Sequence, residues 1–222
     1  MKIVSFALVI ASLVLPGEPM VAAPSESGGI GVGGAPQVQK TPEQLASQYY
    51  RQGVRHKEKA WKQEERSRTA KTEKKRQKAL VQMEKEYLRA IDDLKMSLGY
   101  DLNSYEVANE FGYCLRKIGD YSKALSAYNH ALKLKPDFYP AIEYRAEAYL
   151  ALGAFDKAQD AYMLLFRENP ELAQQLMTAM ESWSESKADL DDPEQAFSEW
   201  VRERAELAAT TADLSMNNTR SW

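Results

Sequence analysis

Displaced by 34 positions, the stretch that begins at Tyr105 falls on itself. Tyr105 meets Tyr139, Gly119 meets Gly153, Lys123 meets Lys157, Ala124 meets Ala158, Ala127 meets Ala161, Tyr128 meets Tyr162 and Pro136 meets Pro170. Ile118 with Leu152, Tyr121 with Phe155 and Leu132 with Phe166 fill the register with residues of like character. A repeat of this length is a single supersecondary unit that cannot bury its apolar face alone, so copies stack into an array.

Each unit reads as a helical hairpin. In the first, Phe111, Gly112 and Leu115 face inward from the leading helix, Gly119-Asp120 breaks it, Ala124, Tyr128 and Ala131 face back, and Pro136 stops the chain. Small residues at Gly112, Ala124 and Ala131 let two helix axes approach closely, with Tyr128 filling the space beside them. The second unit repeats the device with Ala146, Tyr149, Gly153, Ala158, Tyr162 and Pro170.

This pattern resembles the tetratricopeptide repeat. Its signature is carried by Ala108, Phe111-Gly112, Leu115, Ala124, Tyr128 and Pro136, then by Ile142, Arg145-Ala146, Tyr149, Ala158, Tyr162 and Pro170. Arg145 departs from the apolar residue expected there. The resemblance covers 105–172, as repeats at 105–138 and 139–172, in a chain of exported bacterial type. It implies an all-α solenoid whose leading helices line a concave groove. The groove positions are Glu106, Asn109, Tyr113, Arg116 and Lys117 in the first unit, and Glu143, Glu147, Leu150 and Ala151 in the second. They do not resemble the chaperone-type carboxylate clamp of the family.

Upstream, Thr41-Pro42-Glu43 is a helix start, and helix formers run from there to Leu98 with only Gly53 interrupting. Between Lys62 and Lys78 the only apolar residue is Ala70, so this stretch is expected as a long, solvent-bridging basic helix within a charged helical region at 41–104. One period before the first repeat, Tyr87, Ala90, Leu94 and Leu98 occupy second-helix positions, but Gln77 and Lys78 stand where the first helix needs an aromatic and a glycine. Residues 71–104 are expected as a degenerate repeat whose helices have fused. Capping helices are expected over 173–209, and a loose tail over 210–222.

Lys2, the apolar run Ile3–Leu15 and the small exit Val21-Ala22-Ala23 read as a signal peptide over 1–23, the run being shorter than the roughly 20 residues a spanning helix needs. A Gly/Pro/Ser-rich linker follows at 24–40. Its GGIGVGG lacks the preceding strand and following helix of a phosphate loop. Export places the mature chain in the periplasm or outside the cell. Cys114 is the only cysteine, which excludes an internal disulfide. It is read as a buried small hydrophobe, with a reactive thiol as the alternative.

No metal-ligand spacing, nucleophile–base arrangement or cofactor fingerprint is present, so neither a catalytic role nor a cofactor is expected. The acidic neighbours Asp92-Asp93 and Asp191-Asp192 do not converge on one helical face. Charge is bipolar: residues 51–78 hold 12 Lys and Arg against 4 Glu, while 137–222 hold 17 acidic residues against 7 basic. The expected function is a non-catalytic interaction scaffold that binds a partner segment in its groove. The alternative is electrostatic docking through the basic helix at Lys71, Lys74, Lys75 and Arg76, onto an anionic polymer, lipid headgroups or an acidic protein, or self-association. Nucleic acid is not expected as a partner outside the cytoplasm.

Overall fold

The computed structural model describes residues 39–187, 189 and 191–218, with the backbone alone at 209 and 211–218. The expected signal peptide, nearly all of the expected linker and the last four residues lie outside them. Eight α-helices make up the described chain: α1 (Pro42–Arg68), α2 (Glu73–Tyr100), α3 (Tyr105–Lys117), α4 (Tyr121–Leu134), α5 (Tyr139–Ala151), α6 (Phe155–Glu168), α7 (Pro170–Glu185) and α8 (Asp192–Asn218). None is long and apolar enough to cross a membrane.

The two repeat hairpins, α3/α4 and α5/α6, turn at glycines with positive φ, Gly119 (84°) and Gly153 (70°). Each sits just past a helix C-terminus, where a left-handed residue lets the next N–H reach back along the helix. Asp120 N–H accordingly donates to Leu115 O, and Ala154 N–H to Tyr149 O, both at 2.9 Å. Ser104 and Asp120 cap α3 and α4 with side-chain oxygens. Between the helices, Ala108, Ala124, Tyr128, Ala131, Ala146 and Ala158 are fully buried. A Cβ placed on Gly112 would stand 2.7 Å from the Tyr128 ring, so the glycine is what lets α3 lie over that tyrosine. Arg145, the departure from the repeat pattern, stays at the surface: it donates to Asn129 Oδ1 on α4 at 2.8 Å, and its guanidinium lies over Tyr149.

The N-terminal region differs from expectation. The basic stretch is not one long helix. α1 ends at Arg68, the chain reverses over residues 69–72, and α2 begins at Glu73, so α1 and α2 form an antiparallel hairpin. The reversal uses hydroxyls rather than Gly or Pro. Thr69 donates both its N–H (3.0 Å) and its Oγ1 (2.9 Å) to Glu65 O, and Thr72 Oγ1 accepts from Lys75 N–H at the start of α2. At the other end Thr41 closes a capping box with Gln44.

The fused helices expected within 71–104 are also corrected. Leu94 keeps the second-helix role that Tyr128 has one period later, but the glycine facing it is Gly53 of α1. A Cβ on Gly53 would lie 2.7 Å from Leu94 Cγ. The first helix of this unit is therefore α1, far upstream of Lys78. Ala60, Tyr87, Ala90 and Leu94 form the core of the hairpin, which joins α3 through Val107 and Cys114. Ser97 Oγ donates to Ala46 O at 2.9 Å across it.

At the C-terminal end, α7 packs on both α5 and α6, and α8 packs on α7. Leu176, Met177, Met180, Phe197 and Val201 continue the core of the second repeat, with Phe155 stacked on Phe197 at 4.6 Å. The helix continues through Thr210 to Asn218, past the point where a loose tail was expected. The segment AELAATTADLS holds no Gly or Pro to stop it.

Candidate partner groove and basic tip

The leading helices of successive hairpins, α1, α3, α5 and α7, touch one another in order. Their shared face holds a concavity of about 380 Å³ between α3, α5 and α7. Arg116, Lys117, Glu147, Leu150 and Ala151 line it from the two repeats, and Ala179, Ser182 and Trp183 line it from α7. Five of the nine groove positions marked in the sequence, Arg116, Lys117, Glu147, Leu150 and Ala151, thus meet at one place. The other four do not line it. Asn109 and Glu143 are buried, with Asn109 Oδ1 and Glu143 Oε2 lacking a hydrogen-bond partner. Tyr113 lies in the wall between α1 and α3, and Glu106 is exposed at the start of α3.

Charge in this face is largely spent on joining helices. Arg116 of α3 bonds Glu147 of α5, and its guanidinium also sits over Tyr113 and Tyr144 at 5.3 and 5.4 Å. Lys117 of α3 pairs with Glu64 of α1 at 2.7 Å, and Lys57 of α1 with Glu110 of α3 at 2.5 Å. Burial pushes the Glu64 carboxyl up, but Lys117 and Arg68 beside it hold it below its ordinary value. Trp61 Nε1–H donates to the Tyr113 hydroxyl at 2.8 Å, with the rings edge to face. Glu143 meets the opposite conditions. Burial first, then the neighbouring Glu147 carboxylate, push its carboxyl up to about 9, so it is neutral at physiological pH and Arg116 balances Glu147 alone. Cys114 is buried and its thiol is pushed up to about 12 by burial, which makes it inert rather than reactive.

What remains open to a ligand is the part of the concavity rimmed by α7. Trp183 and Ala179 were missing from the residues marked in the sequence, yet the period carries them: Leu115, Tyr149 and Trp183 are each 34 apart, as are Arg145 and Ala179. Trp61, Lys57 and Glu64 had no comparable signal, because their partners in α3 lie about fifty positions away.

The second charged feature is the tip of the α1/α2 hairpin. A concavity of about 530 Å³ there is lined by Arg66, Lys71, Lys75 and Lys78 together with Gln63 and Gln82. Of the docking residues marked in the sequence, Lys71 and Lys75 line it and Lys74 is exposed beside it. Arg76 is engaged elsewhere: its guanidinium bonds both carboxylate oxygens of Glu73 at 2.8 and 2.9 Å. Among the described residues no group of His, Cys, Asp or Glu is arranged to hold a metal ion.

Residues 115–180 match the tetratricopeptide-repeat family, and the described residues fold as an all-helical solenoid of hairpins. Two solved structures it resembles are the first tetratricopeptide domain of Spaghetti (RPAP3) bound to an HSP90 peptide and the protein MamA. The first is 17% identical, with 60% of this chain and 94% of that one covered and a TM-score of 0.42. The second is 18% identical, with 78% and 94% covered and a TM-score of 0.45. A further MamA structure is 24% identical over 60% of this chain and 80% of that one, with a TM-score of 0.39. No curated protein matches the chain. The repeat architecture is that of a protein–protein interaction scaffold.

Proposed function

We propose that this chain is a non-catalytic adaptor of the cell envelope that captures a segment of a partner protein in the groove between α3, α5 and α7. The observation that carries the reading is the concavity built from three successive leading helices, where Ala151, Ala179 and Trp183 offer apolar surface beside Arg116 and Glu147. Concave apolar surface with a few placed polar groups, and an aromatic anchor within it, is where binding energy concentrates. An extended or helical segment fits a groove of this kind. Filling the groove tests it. Ala151→Trp with Ala179→Trp is expected to leave helical circular dichroism unchanged and to abolish capture of the partner by the mature chain. Undiminished capture by the filled variant refutes the groove reading.

Export, and with it the envelope location, rests on the leader features at Lys2 and Ile3–Leu15. Intact mass of the chain recovered from the envelope fraction tests it, and a species retaining Met1 or Lys2 contradicts cleavage.

The basic tip supports a second reading, electrostatic docking onto an anionic partner. Lys71, Lys74 and Lys75 are exposed and form no ion pair among the described residues. Self-association through the basic N-terminal and acidic C-terminal halves is the variant of this reading that light scattering at low and high salt separates.

A further inference from the structure

The reversal at 69–72 changes what the basic stretch can do. On one continuous helix Lys71, Lys75 and Lys78, spaced by four and three, would share one face, and Arg66 would stand well around the circumference from them. Folding back at Thr69–Thr72 brings Arg66 of α1 and the three lysines around a single concavity of about 530 Å³. No carboxylate lines it. The nearby acids are already occupied: Glu64 and Glu65 by Arg68, and Glu73 by Arg76. Arg66, Lys71, Lys75 and Lys78 are all exposed and form no ion pair among the described residues.

The backbone adds to this field. Lys71 and Lys75 bracket the first turn of α2, a helix of 28 residues whose N-terminus carries the positive end of its dipole. The opposing end of α1 is partly satisfied, since Glu65 O accepts two bonds from Thr69. Four cations gathered around one hollow repel one another, and a compact multivalent anion relieves that repulsion.

We propose that the tip concavity is a binding site for a phosphate-bearing ligand, either a free oligophosphate or the phosphate-monoester headgroup of a lipid. The proposal rests on the electrostatic-docking reading of the tip and narrows it. Its grounds are the size of the open hollow, about 530 Å³, which suits a small polyanion better than a protein segment, and the convergence of cations from two helices on one point. Lysine is a compact point charge that suits phosphate oxygens from several directions. Gln63 and Gln82 add amide donors at the rim.

The test uses the full chain at low salt. Sodium tripolyphosphate is titrated in by calorimetry, and sedimentation is measured with vesicles of phosphatidylcholine alone or doped with phosphatidic acid. Two variants are compared: Arg66→Gln, Lys71→Gln, Lys75→Gln and Lys78→Gln together, and a control with the same charge change at exposed sites elsewhere, Lys59→Gln, Lys95→Gln, Lys133→Gln and Arg202→Gln. Saturable binding of one tripolyphosphate per chain, weakened about tenfold or more in the tip variant and nearly unchanged in the control, supports the site with a free anion as its ligand. Sedimentation with the phosphatidic-acid vesicles alone, lost only in the tip variant, supports it with a lipid source. Replacing each tip lysine by arginine retains binding in either case. Equal weakening in both variants overturns the proposal. Binding of an acidic peptide spanning 189–206 of this chain without either phosphate probe also overturns it, while leaving electrostatic docking in place. No binding of any of these anions removes both.

Discussion

The hairpins α1/α2 and α3/α4 are built on the same contact and differ in length. In each, a glycine of the leading helix lies against one large residue of the returning helix: Gly53 against Leu94, and Gly112 against Tyr128. The compact hairpin has helices of 13 and 14 residues, the long one helices of 27 and 28. At 1.5 Å per residue the long pair reaches about 40 Å, roughly twice the compact pair. The extra length carries little apolar surface and most of the basic charge. One packing device thus serves two purposes: the compact hairpin builds the groove, and the long one adds an arm with a charged tip.

The largest expected effect lies in the shared contact. Tyr128 is fully buried, and Tyr128→Ala is expected to cost about 3–5 kcal/mol in denaturant unfolding. Leu94→Ala, at the equivalent place in the long hairpin, is expected to cost about 2–5 kcal/mol. If Leu94→Ala is silent, the two hairpins are not built alike.

The glycines sharpen the comparison. Gly112→Ala presses a methyl group onto a rigid ring, with an expected loss of roughly 1–3 kcal/mol. Gly53→Ala meets the branched side chain of buried Leu94 at 2.7 Å and Ala90 O at 3.3 Å. Both substitutions regain up to about 1 kcal/mol of helix propensity, so the order is set by the aliphatic Leu94 yielding more readily than the Tyr128 ring. Gly112→Ala is therefore expected to lower the melting temperature clearly more than Gly53→Ala. The reverse order contradicts the contacts described.

A smaller effect depends on pH. Folded Glu143 keeps its proton up to about pH 9, whereas the unfolded group releases it near 4.5. Between these values the folded chain binds the extra proton, so this group's contribution to stability is complete below 4.5 and is lost as pH rises through 9. Glu143→Gln removes that dependence. Near pH 9 the variant is expected to melt above the wild type by roughly 2–4 °C or more, with the gap closing toward pH 4.5. A gap independent of pH would show that the carboxyl is already ionised in the fold.

The smallest expected effect on stability is at the tip. Replacing Lys71, Lys74, Lys75 and Arg76 by Gln removes exposed groups only, and the change should stay within about 0.5 kcal/mol. A larger loss would mean that the tip is packed against something.

These contrasts also show what the amino-acid order could reveal. The repeats were legible because Gly119, Gly153, the buried alanines and Tyr128 recur at one fixed spacing. The register even reaches Leu94 upstream and Trp183 downstream. The long hairpin was not legible, because its turn is made by Thr69 and Thr72 capping helix ends, a weaker signal than Gly or Pro. Its first helix also stands some forty residues from the contact it makes, so no period points to Gly53. In the groove, identity was readable and availability was not. Whether Lys117 or Arg116 is free for a ligand depends on Glu64 and Glu147, and only folding brings those carboxylates beside them.

The groove reading meets its most direct test in site-specific photocrosslinking. A benzoylphenylalanine at Ala151 lies in the concavity between α3, α5 and α7. The same residue at Lys133 lies on an exposed position of α4, outside that concavity. With the chain exposed to its partner, irradiation should give one discrete adduct from Ala151 and none from Lys133. An adduct from Lys133 with none from Ala151 would contradict the groove as the binding surface.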